Sequence, residues 1–218
     1  MHKQVGNSAD WETPILSIVI PTLNSAGTLR NCLAAIHAQA FDQKRIELVI
    51  ADAGSSDGTQ EIAREYGATV VENPLKTGEA GKSAGIAASS GDLIALVDSD
   101  NILDDARWLE KMIRPFDDPE IVAAEPLFYT RRDTDPALTR YFSMLGMNDP
   151  ICLFLGNYDR FSMVTGKWTE LPTIGANGFV FRRSLIESVN WSPYSFDIDV
   201  LAEAIDAGHR HATWTQVA

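Results

Sequence analysis

Leu93-Ile94-Ala95-Leu96-Val97 is a short apolar run, and Asp98-Ser99-Asp100 follows it directly. Such a run, bounded by polar residues, predicts a strand buried in a parallel sheet. The two carboxylates therefore fall where a strand ends and a loop begins. In open α/β sheets, ligands bind at the carboxyl ends of strands. Carboxylate oxygens suit a hard divalent cation, which in turn binds phosphate. The stretch predicts an α/β fold that holds a metal-bound diphosphate.

Strand and helix patterns alternate through residues 14–101. Apolar runs predict strands at 15–20, 46–51, 69–71 and 93–97, with Pro21 ending the first. After the first strand, an amphipathic helix is expected with an apolar face of Leu29, Cys32, Leu33 and Ile36. This alternation predicts a mostly parallel central sheet with helices on both faces.

Two further helices are expected between these strands. Asp57 is predicted to cap the first, with Gln60 as its capping-box partner and Gly67 as the stop. The Gly-, Ala- and Ser-rich stretch 78–91 predicts a helix of small residues packed close to the sheet. The turns after the strands carry the polar residues, so three loops should converge on one edge of the sheet.

The pattern changes beyond Asn101. We expect a helix from Asp104, strands at 121–124, 178–181 and 211–217, and a helix from Asp197 or Asp199 to Gly208. Residues 1–13 are expected to form a flexible arm and 14–218 one domain, with a nucleotide-binding half (14–101) and an acceptor half (102–218). The abrupt stop at Ala218 predicts that the chain is truncated at its C-terminus.

Charge limits the partners of this chain. The formal net charge of −12 argues against a nucleic-acid binder, which needs clustered Lys and Arg. An acidic chain also binds a free nucleotide diphosphate poorly, so a bridging cation is expected at Asp98 and Asp100. No apolar run is long enough to cross a bilayer, and two cysteines without metal or redox spacing suggest reduced thiols. We expect a cytoplasmic protein.

Four stretches together resemble the family 2 glycosyltransferases, which have the GT-A fold. Their order and spacing follow that family across nearly the whole chain. They are Ser17-Ile18-Val19-Ile20-Pro21-Thr22-Leu23-Asn24, Asp52-Ala53-Gly54-Ser55-Ser56-Asp57-Gly58-Thr59, the Asp98-Ser99-Asp100 (DxD) turn, and Gly175-Ala176-Asn177-Gly178 with Arg182-Arg183 behind it.

The resemblance implies a nucleotide-diphospho-sugar donor. It implies that the loop of Pro21, Thr22 and Asn24 wraps the nucleotide. Asp52 is expected to accept a hydrogen bond from a base with an imide N–H, such as uracil. The Asp98-Ser99 step is expected near the ribose and diphosphate.

The resemblance also implies a metal and further donor contacts. Asp100, together with Asp98, is expected to ligate Mn²⁺ or Mg²⁺, which neutralises the leaving diphosphate. Lys82 falls where the family often has a basic residue, and is either a phosphate contact or a solvated lysine. Asn177 is either a donor contact or a plain turn residue.

A third implied role is that of the catalytic base. Asp197 lies where the family usually has a Glu-Asp pair whose Asp deprotonates the acceptor, but Phe196 replaces the Glu. Asp199 is the alternative base. Many relatives also have a metal-binding His after the last strand, and His209 and His211 lie too early for that role.

The acceptor is expected to be a hydroxyl or a lipid phosphate. Residues 141–168 are rich in Met and aromatics, and form either ordinary packing or a groove for a carbohydrate or lipid-linked acceptor. The second interpretation adds association with the cytoplasmic face of a membrane, through segments beyond this chain.

Two other functions stay open at this point. A sugar-1-phosphate nucleotidyltransferase uses a similar sheet, but its first loop is usually basic, and here no basic residue follows Pro21 before Arg30. A non-catalytic glycosyltransferase-like binding domain is the other alternative, because the Glu beside Asp197 and the metal-binding His are both missing.

Overall fold

A computed structural model describes residues 15–126, 133, 134, 136, 137, 164, 165, 178–188, 191–195, 200, 203, 204 and 206–214. The expected arm at 1–13 and most of the Met- and aromatic-rich stretch lie outside these residues.

The first half of the described chain alternates strands and helices as predicted. Its elements are β1 (Leu16–Thr22), α1 (Ala26–His37), β2 (Ile46–Asp52), α2 (Thr59–Glu65), β3 (Thr69–Glu72), α3 (Gly78–Ala88) and β4 (Leu93–Leu96). A short 3-10 turn, Gln43–Arg45, precedes β2. Pro21 does not end β1 as expected, because the strand continues to Thr22, which pairs with Asp52 of β2.

The second half adds four strands to the same sheet. Its elements are α4 (Trp108–Ile113), a 3-10 turn (Arg114–Asp117), β5 (Ile121–Pro126), β6 (Val164–Thr165), β7 (Phe179–Arg182), α5 (Arg183–Ser188) and β8 (Arg210–Trp214). The helix expected from Asp104 instead begins at Trp108, because the Asp105 carboxylate accepts the Arg107 N–H in a turn before it.

The sheet is mostly parallel. Its strand order is β3-β2-β1-β4-β7-β5-β8-β6. β7 pairs antiparallel with β4 and β5, and β6 pairs antiparallel with β8, so the other six strands run in one direction. β2 and β3 lie on one side of β1, whereas β4, the next strand in the chain, lies on the other side of β1. This reversal is the switch point where α/β sheets bind ligands.

Apolar side chains alternate between the two faces of the sheet. Leu16, Ile18 and Ile20 face α1, α2 and α4, whereas Val19 packs with residues of α3 and α5 on the opposite face. The four apolar residues predicted for α1 are all buried. The expectation of helices on both faces is confirmed.

α3 lies very close to β1, as its small residues predicted. A Cβ added at Gly85 would be 2.3 Å from Val19 Cγ1, and one added at Gly81 would be 2.8 Å from Pro21 Cβ. This close approach brings the start of α3 beside the end of β1.

Arg182 and Arg183 have structural roles. The Arg182 guanidinium donates to the carbonyls of Phe116 (2.7 Å) and Ile121 (2.8 Å), while Arg183 Nε donates to the Gly91 carbonyl (2.7 Å). These contacts tie β7 and α5 to the edge of the sheet opposite the DxD turn.

Candidate functional site

The carboxyl ends of β1, β2 and β4 enclose a cavity of about 420 Å³, called here the larger cavity. It lies at the switch point between β1 and β4. Its lining residues are Pro21, Thr22, Leu23, Asn24, Ser25, Thr28, Ala53, Asn73, Lys76, Thr77, Gly78, Asp98, Ser99 and Asp100. The predicted convergence of three loops is therefore present, and the β3–α3 loop adds a fourth wall that the sequence analysis missed.

The loops after β1 and β2 are bound to each other through Asn24. Its backbone N–H donates to Ser55 Oγ (2.8 Å), and its Oδ1 accepts the Ser56 N–H (3.0 Å). Asn24 has a φ of 50°, in the left-handed region that Asn tolerates better than most residues. Asn24 thus shapes the larger cavity by bracing its walls as well as by lining it.

The Asp52 carboxylate is buried beneath this junction and accepts five hydrogen bonds. Oδ1 accepts from Thr22 Oγ1 (3.0 Å) and Ser55 Oγ, and Oδ2 accepts from the N–H groups of Gly54 (3.0 Å) and Ser55 (2.8 Å) and from Gln60 Nε2 (2.7 Å). Burial raises the pKa of Asp52, but the bonds from Ser55, Gln60 and Thr22 outweigh it and hold that pKa below its ordinary value. Asp52 is thus held in its charged form, and its hydrogen bonds connect the end of β1, the loop after β2 and the start of α2.

The predicted capping box at α2 is wrong. The helix is capped at Gly58 with a φ of 95°, and the amide of Gln60 turns to Asp52 instead of the cap. Asp57 accepts the N–H groups of Thr59 (3.1 Å) and Ala26 (2.9 Å), so it joins the start of α2 to the start of α1. Gly67, with a φ of 73°, follows the end of α2 as predicted.

The DxD turn after β4 is held from both sides. The Asp98 N–H donates to Asn101 Oδ1 (3.1 Å), and Ser99 Oγ donates to Ser25 Oγ (3.1 Å) in the loop after β1. Beneath the turn, the buried Cys32 thiol donates to the Asp98 carbonyl at 3.7 Å. These contacts fix the backbone of the turn and leave the Asp98 and Asp100 side chains lining the larger cavity.

The electrostatics of the turn favour a cation. Burial raises the pKa of Asp98 above its ordinary value, Lys82 opposes this, and the charges of Asp100 and Glu79 add to it. Within the described part of the chain, no group of three or more His, Cys, Asp and Glu residues could hold a metal ion. Two carboxylates lining a cavity of this size nevertheless fit a metal whose other ligands are phosphate oxygens and water.

Lys82 lies in the body of α3 rather than at the mouth of the site. Its side chain is buried, and its Nζ is 3.2 Å from Glu79 Oε2. It is absent from the lining of the larger cavity. Its charge acts on Asp98 from within α3. Lys82 is therefore not the solvated lysine that was one of its two expected roles.

A second cavity of about 340 Å³, called here the smaller cavity, adjoins the loop after β2. Its lining residues are Asp52, Ala53, Gly54, Gln60, Arg64, Val70, Val71, Glu72, Asn73, Pro74 and Lys76. Ala53, Asn73 and Lys76 line both cavities, and sequence analysis did not single out any of them. The Asn73-Pro74 dipeptide was the available signal, since such pairs mark turns.

Several predicted site residues lie outside the described residues. They are Asn177, Asp197 and Asp199, so the structure does not place the base or this donor contact. Residues 200, 203, 204 and 206 are helical. Gly208 follows with a φ of 93°, as expected for the end of that helix. His209 is partly buried behind it.

Among the residues described, we find no helix that combines the length and hydropathy required to cross a bilayer.

Comparison with known proteins agrees with this geometry. A sequence model of the family described as "Glycosyl transferase family 2" matches residues 17–189. The glycosyltransferase AglE of Haloferax volcanii is 33% identical over 104 residues, which cover 45% of this chain and 34% of AglE. The chain therefore spans only about a third of that relative.

Two solved structures share the fold. One is glucosyl-3-phosphoglycerate synthase of Mycobacterium tuberculosis with Mn²⁺, UDP and glucosyl-3-phosphoglycerate (TM-score 0.62, 22% identity, 93% of this chain and 70% of that one). The other is the mannosyltransferase PcManGT of Pyrobaculum calidifontis with GDP-Man and Mn²⁺ (TM-score 0.68, 19% identity, 95% and 56%).

The order of the sheet and the loops at its carboxyl ends are those of the GT-A fold that the two solved glycosyltransferases share. Since the family match covers most of its length, the chain belongs to glycosyl transferase family 2. The expected fold and enzyme class are confirmed.

Proposed function

We propose that this chain is the catalytic domain of a metal-dependent, inverting glycosyltransferase that uses a nucleotide-diphospho-sugar, with UDP as the preferred nucleotide. The observation that carries the proposal is the DxD turn on the wall of the larger cavity, opposite the loop after β1. The chain is strongly acidic, so a cation between these carboxylates and the donor resolves the repulsion.

The donor lies along the larger cavity in this proposal. Pro21 and Thr22 contact it from the end of β1 and Asn24 from the loop that follows. Ser99 keeps the DxD turn against that loop through Ser25. Asp98 and Asp100 hold Mn²⁺ or Mg²⁺. A metal ion held there stabilises the negative charge of the leaving diphosphate.

The base of the donor lies in the smaller cavity. Val70, Val71 and Pro74 give this cavity apolar walls that suit a flat ring. Asp52 lies at its inner end with five donors on a carboxylate that has about four lone-pair sites. An imide N–H of uracil takes the place of Gln60, whose side chain also lines the cavity.

The chemical step is a single displacement. The acceptor oxygen attacks the anomeric carbon while the bond to the diphosphate breaks on the opposite side, so the configuration inverts. Asp197 takes the acceptor proton, with Asp199 as the alternative base. Lys82 supports the donor site from within α3 by compensating the charge of Asp98, and Asn177 is the further donor contact that the family resemblance implies.

The acceptor in this proposal is a hydroxyl or a lipid phosphate. The Met- and aromatic-rich composition of residues 141–168 supports an apolar or lipid-linked acceptor. Polyprenyl phosphate in vesicles, compared with a soluble sugar acceptor, separates the two classes and tests association with a membrane face.

The deciding experiment is calorimetry with UDP in the presence of Mn²⁺. We expect binding that chelator abolishes and that Asp100→Asn weakens at least about tenfold, because the substitution removes the negative charge of a metal ligand. Asp117→Asn, at an exposed site outside both cavities, is the control with the same charge change. Unchanged affinity in Asp100→Asn would refute the metal assignment.

A further inference from the structure

Lys76 occupies the boundary between the two cavities. It is exposed, and it lines both of them. Among the residues that the structure places on the wall of the larger cavity, the charged ones are Lys76, Asp98 and Asp100. Lys76 thus supplies the positive charge on that wall, across from the DxD turn.

The backbone at Lys76 is held in a strained conformation. Its φ is 58°, in the left-handed region, which is unfavourable for a residue other than glycine. Asn73 enforces this conformation from below. Its carbonyl and its Oδ1 both accept the Lys76 N–H (3.2 Å each), and its Nδ2 donates to the Thr77 carbonyl (2.8 Å). Strain of this kind persists where the surroundings over-determine a position, often at binding sites.

The ammonium group of Lys76 lies over the loop after β2. A Cβ added at Gly54 would be 3.9 Å from Lys76 Nζ. In the described part of the chain, the ion pairs involve other residues, and none includes Lys76. Lys82, for which the family resemblance left a phosphate contact or a solvated side chain open, is buried, and its Nζ is 3.2 Å from Glu79 Oε2.

We propose that Lys76, and not Lys82, is the lysine that contacts the diphosphate of the donor. The proposal rests on the proposed function. With the base in the smaller cavity and the diphosphate in the larger one, the α-phosphate passes the position that Lys76 occupies. Its ammonium binds the phosphate oxygens on the side away from the Asp98 and Asp100 carboxylates.

The test measures the affinities of UDP and of uridine, both with Mn²⁺, for the wild-type chain and three variants. Lys76→Met should weaken UDP about tenfold, the size of one charge-assisted contact, and leave uridine within about twofold. Lys76→Arg should retain most of the affinity for UDP. Lys44→Met removes an exposed lysine outside both cavities and should change neither ligand.

Lys76→Gly separates the charge from the backbone. Glycine adopts a φ of 58° without strain, so this variant should be at least as stable as wild type and still bind UDP about tenfold more weakly. Equal loss of UDP and uridine, or full UDP affinity in both Lys76→Met and Lys76→Gly, would overturn the inference. In that case the proposed function stands, since wild-type binding is intact. If the wild-type chain binds no UDP or GDP with Mn²⁺, both fail.

Discussion

Gln60 Nε2 donates to Asp52 Oδ2 at 2.7 Å, and this bond ties the first turn of α2 to the end of β2. The same Gln60 side chain accepts from Arg64 Nη2 at 3.0 Å, one helical turn further on. Two consecutive hydrogen bonds thus link the surface of α2 to the buried carboxylate. Because both Gln60 and Asp52 line the smaller cavity, these bonds couple the stability of the loops to the shape of the proposed base site.

Asp52→Asn should destabilise the fold most at neutral pH. An amide cannot accept the five donors that the carboxylate accepts, and the expected loss is about 1–3 kcal/mol for donors left buried. The folded-state pKa of Asp52 is lowered. The stabilising contribution is therefore complete above the unfolded pKa of about 3.9, and it is lost as pH falls through the lower folded-state pKa.

Urea unfolding of wild type and Asp52→Asn from pH 8 to pH 3.5 measures this difference. The gap in unfolding free energy should stay constant down to about pH 5 and shrink only below about pH 4. Asp117→Asn, exposed and outside the loops, should show almost no gap at any pH. A gap that grows as pH falls would contradict the assignment.

The buried ion pair of Lys82 and Glu79 should contribute more to the stability of the fold than the 3.2 Å distance between its charged atoms suggests. Lys82→Met leaves the Glu79 carboxylate without the ammonium 3.2 Å away. The Glu79 side chain is only 25% exposed, so we expect a loss of about 1–3 kcal/mol, below the value for a fully buried pair. Lys82→Met with Glu79→Gln should recover part of it, since no charge is then stranded.

The ion pair of Arg30 and Glu65 is the matched comparison. Its atoms are closer, at 2.8 Å, but both side chains are more than half exposed. Water and salt screen such a pair, so Arg30→Met should leave the unfolding midpoint within error. If Arg30→Met lowers the free energy of unfolding as much as Lys82→Met does, burial does not explain the contribution of the Lys82–Glu79 pair.

The fold could be predicted because its signals are local and repeated. Apolar runs with polar residues at their ends identified β1, β2 and β4, and the spacing of Leu29, Cys32, Leu33 and Ile36 identified α1 and its buried face. Parallel strands then place their carboxyl ends at one edge, so the meeting of Thr22, Asp52 and Asp98 followed from topology alone.

The errors came from side chains that choose partners distant in sequence. Gln60 has the spacing of a capping-box residue relative to Asp57, but its Nε2 donates to the buried Asp52 carboxylate and its Oε1 accepts from Arg64, so neither end of the amide caps the helix. The positions of the two lysines also depend on contacts that the sequence pattern does not contain. Hydrophobic periodicity does not predict that Lys82 is buried in α3, nor that Lys76 follows a turn closed by Asn73.

The contact of α3 with β1 should tolerate no added methyl group. In Gly85→Ala, the new Cβ would be 2.3 Å from Val19 Cγ1, and overpacking of this kind costs about 1–3 kcal/mol or more. Gly27→Ala is the control, since that glycine lies in α1 with no atom within 4 Å of an added Cβ. It should stabilise the fold by up to about 1 kcal/mol. Denaturation midpoints of the two variants should therefore move in opposite directions, and equal shifts would show that α3 can move away from the sheet.

The thiol of Cys32 should be unreactive while the chain is folded. Burial, followed by the charges of Asp100 and Asp98, raises the pKa of Cys32 to about 12. The thiolate is the reactive form, so at pH 8 alkylation with iodoacetamide should require unfolding. Mass spectrometry of the Cys32 peptide follows its labelling separately from that of Cys152. The labelling rate in folded protein should rise with urea in parallel with global unfolding. Rapid labelling without urea would mean that the space between α1 and the DxD turn opens in the native state, and the support that Cys32 gives the Asp98 carbonyl would then be absent.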